Sequence, residues 1–242
     1  MVFYQTGRSS WQKFIWTGVA LLTPFLWANV AGAEYAGNAD LLLSFFLLLA
    51  VSSILKKELI YSAWFLFFAV LTKNDALPAA LGFVFILPFL IKGKDKIKPW
   101  LWCLGLIIAS LLWKAGCNLP SRYLRQPGAF FAKPIGEYMW YTAHAFREEF
   151  RQIYRWGIGW WVIFFIILIN LKRLFKNRAL ILGVSLVICQ FLGYFIVYYL
   201  TPEDQASQIA TSIYRLVLQV YPASLLLVSR IGYNKKYDVD RD

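Results

Sequence analysis

Apolar runs closed by charged or turn residues recur eight times along the chain, at 14–33, 39–55, 59–72, 76–91, 99–115, 157–171, 179–200 and 213–229. A hydrocarbon layer about 30 Å thick takes about 20 helical residues to cross. The pattern predicts an all-α fold, a polytopic transmembrane helix bundle of about eight spans forming a single domain over residues 1–242. The second, third and fourth runs are short for a span. Such helices belong inside a bundle or end at a water-filled recess. Between the third and fourth stand Lys73, Asn74 and Asp75. Lys and Asp each cost about 2.5–3.5 kcal/mol at a helix centre in hydrocarbon, so something compensates them. A helical hairpin tip does so: Pro78 fits the first turn of the returning helix, Asp75 can cap it, and Lys73 can snorkel to the interface.

The block 116–156 is the one sizeable stretch outside the apolar runs, and its second half is periodic. Met139, Ala143, Phe146, Phe150 and Ile153 recur at steps of four and three, with Glu137, His144, Glu148, Arg151 and Arg155 on the opposite face. That predicts one extracytoplasmic amphipathic helix lying over the bundle mouth, followed by an interfacial belt of Trp156, Trp160 and Trp161. The first run, 14–33, reads as a retained span, although Ala31–Ala33 offers an A-x-A-like cleavage hint.

Composition agrees: 60% of residues are hydrophobic and the mean hydropathy is +0.54, which excludes an ordinary soluble domain. The three cysteines lie in or beside apolar runs with neither disulfide-framework nor metal spacing, and the single histidine, His144, excludes a multi-histidine site. His144 itself reads as a surface residue. The formal charge of +12 reads as a membrane orientation signal. With the N-terminus inside, sixteen of the 25 Lys and Arg fall in inner segments, among them Lys56, Lys57, Lys92 to Lys98, Lys172 to Arg178 and the tail from Arg230. An N-in, C-in bundle in a bacterial inner membrane accounts for the charge and removes nucleic acid as a partner.

In this topology Asp40, Lys73, Asn74, Asp75 and Arg215 all come to the outer level. A carboxylate beside Lys and Arg suits a phosphate or a metal–phosphate group, since Arg contacts phosphate bidentately, Lys adds a point charge and a carboxylate holds a divalent cation. Bland readings stand beside this one: Asp40 as a helix N-cap, Arg215 as a snorkelling side chain, Glu203 and Asp204 as a solvated turn that starts a helix.

Three stretches carry a family likeness: NADLLLSFFLLLA from Asn38, LTKNDALPAA from Leu71, and YYLTPEDQASQIATSIYRLVLQVYP from Tyr198. With them the chain resembles the later part of bacterial polytopic glycosyltransferases of the GT-C architecture, related to protein mannosyltransferases and lipid A aminoarabinose transferases. The resemblance implies transfer of a sugar from a polyprenyl-phosphate donor at the outer membrane face. Asp40 matches a cavity-lining carboxylate, a candidate acceptor or metal contact, and Lys73 and Arg215 match residues that hold the lipid phosphate, with Asn74 and Asp75 supporting. A divalent metal ion is the implied cofactor; membrane lipid and a lipid-linked sugar are the implied partners. The chain departs from the pattern at Ala76, where a glycine is usual, and at Ser207–Gln208, where an aromatic–His pair is usual. The family's general-base carboxylate lies in a long first outer loop, and only Glu34 stands in the corresponding stretch. The expectation is therefore the C-terminal portion of an enzyme, completed by a missing N-terminal half or a second membrane subunit. The alternatives are a transporter or flippase for a lipid-linked or anionic substrate, disfavoured by apolar inner halves such as VIFFIILIN, and a non-catalytic assembly subunit.

Overall fold

The computed structural model describes residues 39–90, 97–116, 134–200 and 204–231. The first run at 14–33, Glu34, Lys92 to Lys96, residues 117–133, Glu203 and the basic tail lie outside the described residues. Every regular element among the described residues is helical: α1 (Ala39–Leu55), α2 (Leu59–Thr72), a 3₁₀ turn at Asn74–Ala76, α3 (Leu77–Leu90), α4 (Ile97–Gly116), α5 (Ile135–Phe150), α6 (Ile153–Trp156), α7 (Gly159–Ile169), α8 (Leu171–Leu174), α9 (Arg178–Leu200) and α10 (Gln205–Ile231). Two helices, α9 over Arg178–Tyr199 and α10 over Gln205–Ile231, are long and apolar enough to cross a membrane. Large apolar side chains remain on the outside of the bundle, Phe85, Phe89, Trp113 and Phe164 among them. Such a surface marks contact with something other than water.

The helices α1 and α2 begin and end at the limits of their apolar runs. Between them Lys56, Lys57 and Glu58 make a tight turn in which Lys57 takes a left-handed φ of 64°, the conformation that ends many helices. The last helix is longer than the apolar run 213–229. It begins at Gln205, where the Asp204 carboxylate accepts the Ser207 N–H at 2.9 Å, and its extra turns bury Ile209. The core is built of α1, α2, α3, α9 and α10, with Leu43, Leu47, Leu66, Phe83, Leu186 and Val217 buried at its centre.

Two prolines set how these helices lock together. A proline inside a helix lacks the N–H that would reach the carbonyl four residues before it. Pro222 in α10 so frees the Leu218 carbonyl, and Ser44 of α1 donates its hydroxyl to that oxygen at 3.1 Å. Pro88 in α3 frees the Val84 carbonyl, and the indole N–H of Trp100 in α4 donates to it at 2.9 Å. In each case a neighbouring helix supplies the donor that the proline removed. A third lock is steric: Gly193 in α9 lies so close to Pro78 that a Cβ there would stand 2.1 Å from the ring.

These pairings fix direction. Asp40 meets Arg215 and Ser44 meets Leu218, so α1 and α10 run parallel from a shared end. The hairpin tip 73–76 returns to that same end. Lys56, Lys57, Lys98 and Arg173 gather at the opposite end, where the Arg173 guanidinium donates to the last carbonyl of α10 at Ile231, 2.9 Å away.

The amphipathic helix is present, rotated and shorter than expected. Its buried positions are Thr142, Phe146 and Glu149, while Met139 and Ile153 are exposed. The helix stops at Phe150, and Gln152 and Gly157 (φ 55°) bracket the separate turn α6. Ile153 therefore does not continue the stripe, and Arg155, expected on the solvent face, turns inward. The cause is Phe146. It packs on Phe191 and Phe195 of α9 with ring centroids 5.9 and 5.3 Å apart, and this contact sets the helix rotation.

Candidate functional site: a buried carboxylate held by two cations

Asp40 occupies the first turn of α1, where the helix dipole favours an anion. Its side chain is 2% exposed. A buried charge is tolerated only when it is paired and hydrogen-bonded, and here both oxygens are. Oδ1 accepts from Lys73 Nζ at 2.8 Å and from the Gln219 amide at 2.5 Å. Oδ2 accepts from Arg215 through Nε and Nη2, each at 2.7 Å. The expected cap reading of Asp40 gives way to partners on other helices, because the carboxylate lies between α2 and α10 and is closed off from water.

Lys73 does not snorkel. Its ammonium sits between Asp40 and Asp75, 2.6 Å from Asp75 Oδ2. Burial alone pushes the Lys73 pKa down, but the Asp75 and Asp40 carboxylates outweigh it and hold the ammonium above the usual lysine value of 10.5. Nor is Asp75 the group that caps the returning helix. Gln190 of α9 performs that role, accepting the Ala79 N–H at 3.3 Å and donating its amide N–H to the Asp75 carbonyl. Asn74 is exposed on the same turn, and its carbonyl accepts the Leu77 N–H.

Behind Asp40 the network continues inward. Gln219, fully buried, accepts the Tyr194 hydroxyl at 2.7 Å on Oε1 while its amide serves Asp40. Gln219, Tyr194 and Gln190 were not among the residues the sequence singled out. A polar glutamine in each of two apolar helix runs was the available signal.

A second buried carboxylate was also not anticipated. Glu149, 3% exposed, lies on the packed face of α5. It accepts the Trp156 indole N–H at 2.9 Å and Arg155 Nη1 at 2.8 Å. The Arg155 guanidinium also covers the Tyr214 ring, 5.0 Å from its centroid, beside Arg215 in sequence. Gln205 ties α10 to α5 through the Thr142 hydroxyl at 2.8 Å. His144 is exposed against Trp140, as a surface residue would be.

The donor set at Asp40 does not suit a metal ion. Each carboxylate oxygen already carries two protein donors, and a cation there would have to displace Lys73 and Arg215 against like charge. Among the described residues no group of three His, Cys, Asp or Glu side chains lies close enough to hold one. What the arrangement can do is hold an anion at its rim. Arg215 keeps a third of its side chain exposed while its Nε and Nη2 are held by Asp40. Lys73 is 27% exposed. No family model, curated protein or solved structure matches this chain.

Proposed function

We propose that the Asp40–Lys73–Arg215 cluster is the phosphate-binding part of a membrane glycosyltransferase, which takes a sugar from a polyprenyl-phosphate donor at the outer face. The observation that carries the reading is Arg215. Asp40 fixes its guanidinium through Nε and Nη2, while a third of the side chain stays exposed. That is preorganisation: the cation is aimed before a ligand arrives. In the transfer, the bond from the anomeric carbon to the phosphate oxygen breaks as the bond to the acceptor oxygen forms. Negative charge grows on the phosphate, and Lys73 and Arg215 stabilise it. The acceptor's proton leaves to a base. Asp40 is saturated by its own donors, so it anchors the two cations and the base is another group.

The reading places the cluster end outside and the Lys56, Lys57, Lys98 and Arg173 end inside, in keeping with the positive-inside bias, in a bundle of about eight spans. The apolar interior below the cluster, Leu43, Leu47, Val51 and Ile54, argues against a path through the bundle for a transporter.

The test measures retention of polyprenyl phosphate against phosphate-free polyprenol on the purified full chain in nanodiscs. Wild type is expected to prefer the phosphate, and Arg215→Ala to lose that preference at least about tenfold, a loss of about 1.4 kcal/mol; Arg215→Lys retains part of it. A folded Arg215→Ala chain that binds polyprenyl phosphate as wild type does sinks the reading. A second reading, a non-catalytic assembly subunit, draws on the balance of charge: Asp40 and Asp75 match Lys73 and Arg215 one for one. It expects Arg215→Ala to lower stability and to leave lipid binding unchanged.

A further inference from the structure

We infer that the groove between α5, α7 and α9 is a binding site for an anionic phospholipid, its acyl chain in the groove and its phosphate at Arg147 and Arg151. The groove is a cavity of about 610 Å³, within the size range of small-molecule sites. Its walls are aromatic and aliphatic: Phe146, Phe150, Trp160, Phe164, Phe191 and Phe195. None of its residues belongs to the Asp40 cluster, and the inference does not rest on the transferase reading.

Charge complementarity selects the occupant. Arg147 in the last turn of α5 and Arg151 at its C-cap line the groove, with side chains 57% and 53% exposed. Both pair with one carboxylate, Glu148, at 3.0 and 3.3 Å. Two cations sharing one anion leave a net positive charge at the mouth of an apolar slot. That is the outline of a lipid with a negative headgroup: a chain that wants the walls and a phosphate that wants the guanidiniums.

Trp160 forms part of the groove wall, its ring centroid 4.7 Å from that of Phe150.

The experiment uses the delipidated full chain in detergent and reads its unfolding temperature on adding phosphatidylglycerol or phosphatidylcholine. Saturating phosphatidylglycerol is expected to raise the wild-type temperature by about 5 °C or more, and phosphatidylcholine by less than half as much. The double variant R147Q/R151Q, altered only at exposed side chains, is expected to keep its lipid-free unfolding temperature and lose the preference for phosphatidylglycerol. Ile167→Trp, which fills the slot, is expected to abolish the response to both lipids. Equal shifts from the two lipids in wild type overturn the proposal. So does a preference for phosphatidylglycerol that survives R147Q/R151Q. A shift given by polyprenyl phosphate and not by phosphatidylglycerol also overturns it, by assigning the groove to the sugar donor.

Discussion

Arg215 grips a single oxygen of Asp40, Oδ2, with both Nε and Nη2 at 2.7 Å, across 175 residues of chain. The other oxygen is left for Lys73 and Gln219. With its carboxylate held from α10 and from the hairpin tip, Asp40 is the common tie of α1, α10 and that tip. Removing one partner of a buried ion pair costs about 3–5 kcal/mol, because the remaining charge is stranded. Asp40→Ala is expected to destabilise the protein by less than that, about 1–3 kcal/mol, because Lys73 keeps Asp75 and Arg215 is a third exposed. Asp40→Ala combined with Arg215→Ala is expected to cost less than the sum of the single changes, with about 1–3 kcal/mol of coupling. Thermal unfolding of the four proteins in one detergent checks both statements.

Tyr194 and Gln219 carry the tie into the core. Tyr194→Phe removes one donor and leaves Gln219 to Asp40, a loss of about 1 kcal/mol. Gln219→Leu removes the Tyr194 hydroxyl's acceptor and also withdraws a donor from Asp40, so it is expected to cost more than Tyr194→Phe. Equal losses would show that the two bonds do not act in series.

The alkaline side of the stability profile reports on Lys73. Its folded pKa lies above 10.5, so the stability it contributes is fully present below the unfolded lysine pKa and is lost as pH rises through the higher folded value. Wild type is expected to lose unfolding temperature above about pH 10.5. Lys73→Met is expected to be less stable at neutral pH and to show a flatter alkaline limb. A limb of unchanged slope in Lys73→Met would assign it to other groups.

The proline locks make a paired prediction. Ser44→Ala leaves the Leu218 carbonyl without its donor, at a cost of about 1–3 kcal/mol. In a Pro222→Ala background the helix supplies its own N–H to that carbonyl, and Ser44→Ala is expected to cost clearly less. The double-mutant cycle by thermal unfolding reads the difference.

Two glycines separate close approach from open surface. A Cβ at Gly193 would meet Pro78 at 2.1 Å, whereas one at Gly105 meets nothing within 4 Å. Gly193→Ala is expected to destabilise by about 1–3 kcal/mol through overpacking. Gly105→Ala is expected to be neutral or to stabilise by up to about 1 kcal/mol through helix propensity. Unfolding temperatures of the two variants check the contrast.

The sequence by itself determined the helical class, the limits of α1 and α2, the hairpin tip and the gathering of Asp40, Lys73 and Arg215 at one level. Each follows from local physics: runs of apolar residues, the cost of charge in them, and the turn residues that end them. The rotation of α5 was decided by tertiary structure, since Phe146 docks on α9 and turns Glu149 inward while Met139 faces out. Periodicity marks which residues share a face and leaves open which part of that face meets a neighbour. The same reason hid Gln190 and Gln219. A glutamine in an apolar helix needs a partner, but only the depth and rotation of the packed helices decided that Gln190 would cap α3 and that Gln219 would reach Asp40. The locks at Pro88 and Pro222 follow suit: the sequence marks which carbonyl loses its donor, and packing alone brings Trp100 and Ser44 to those oxygens.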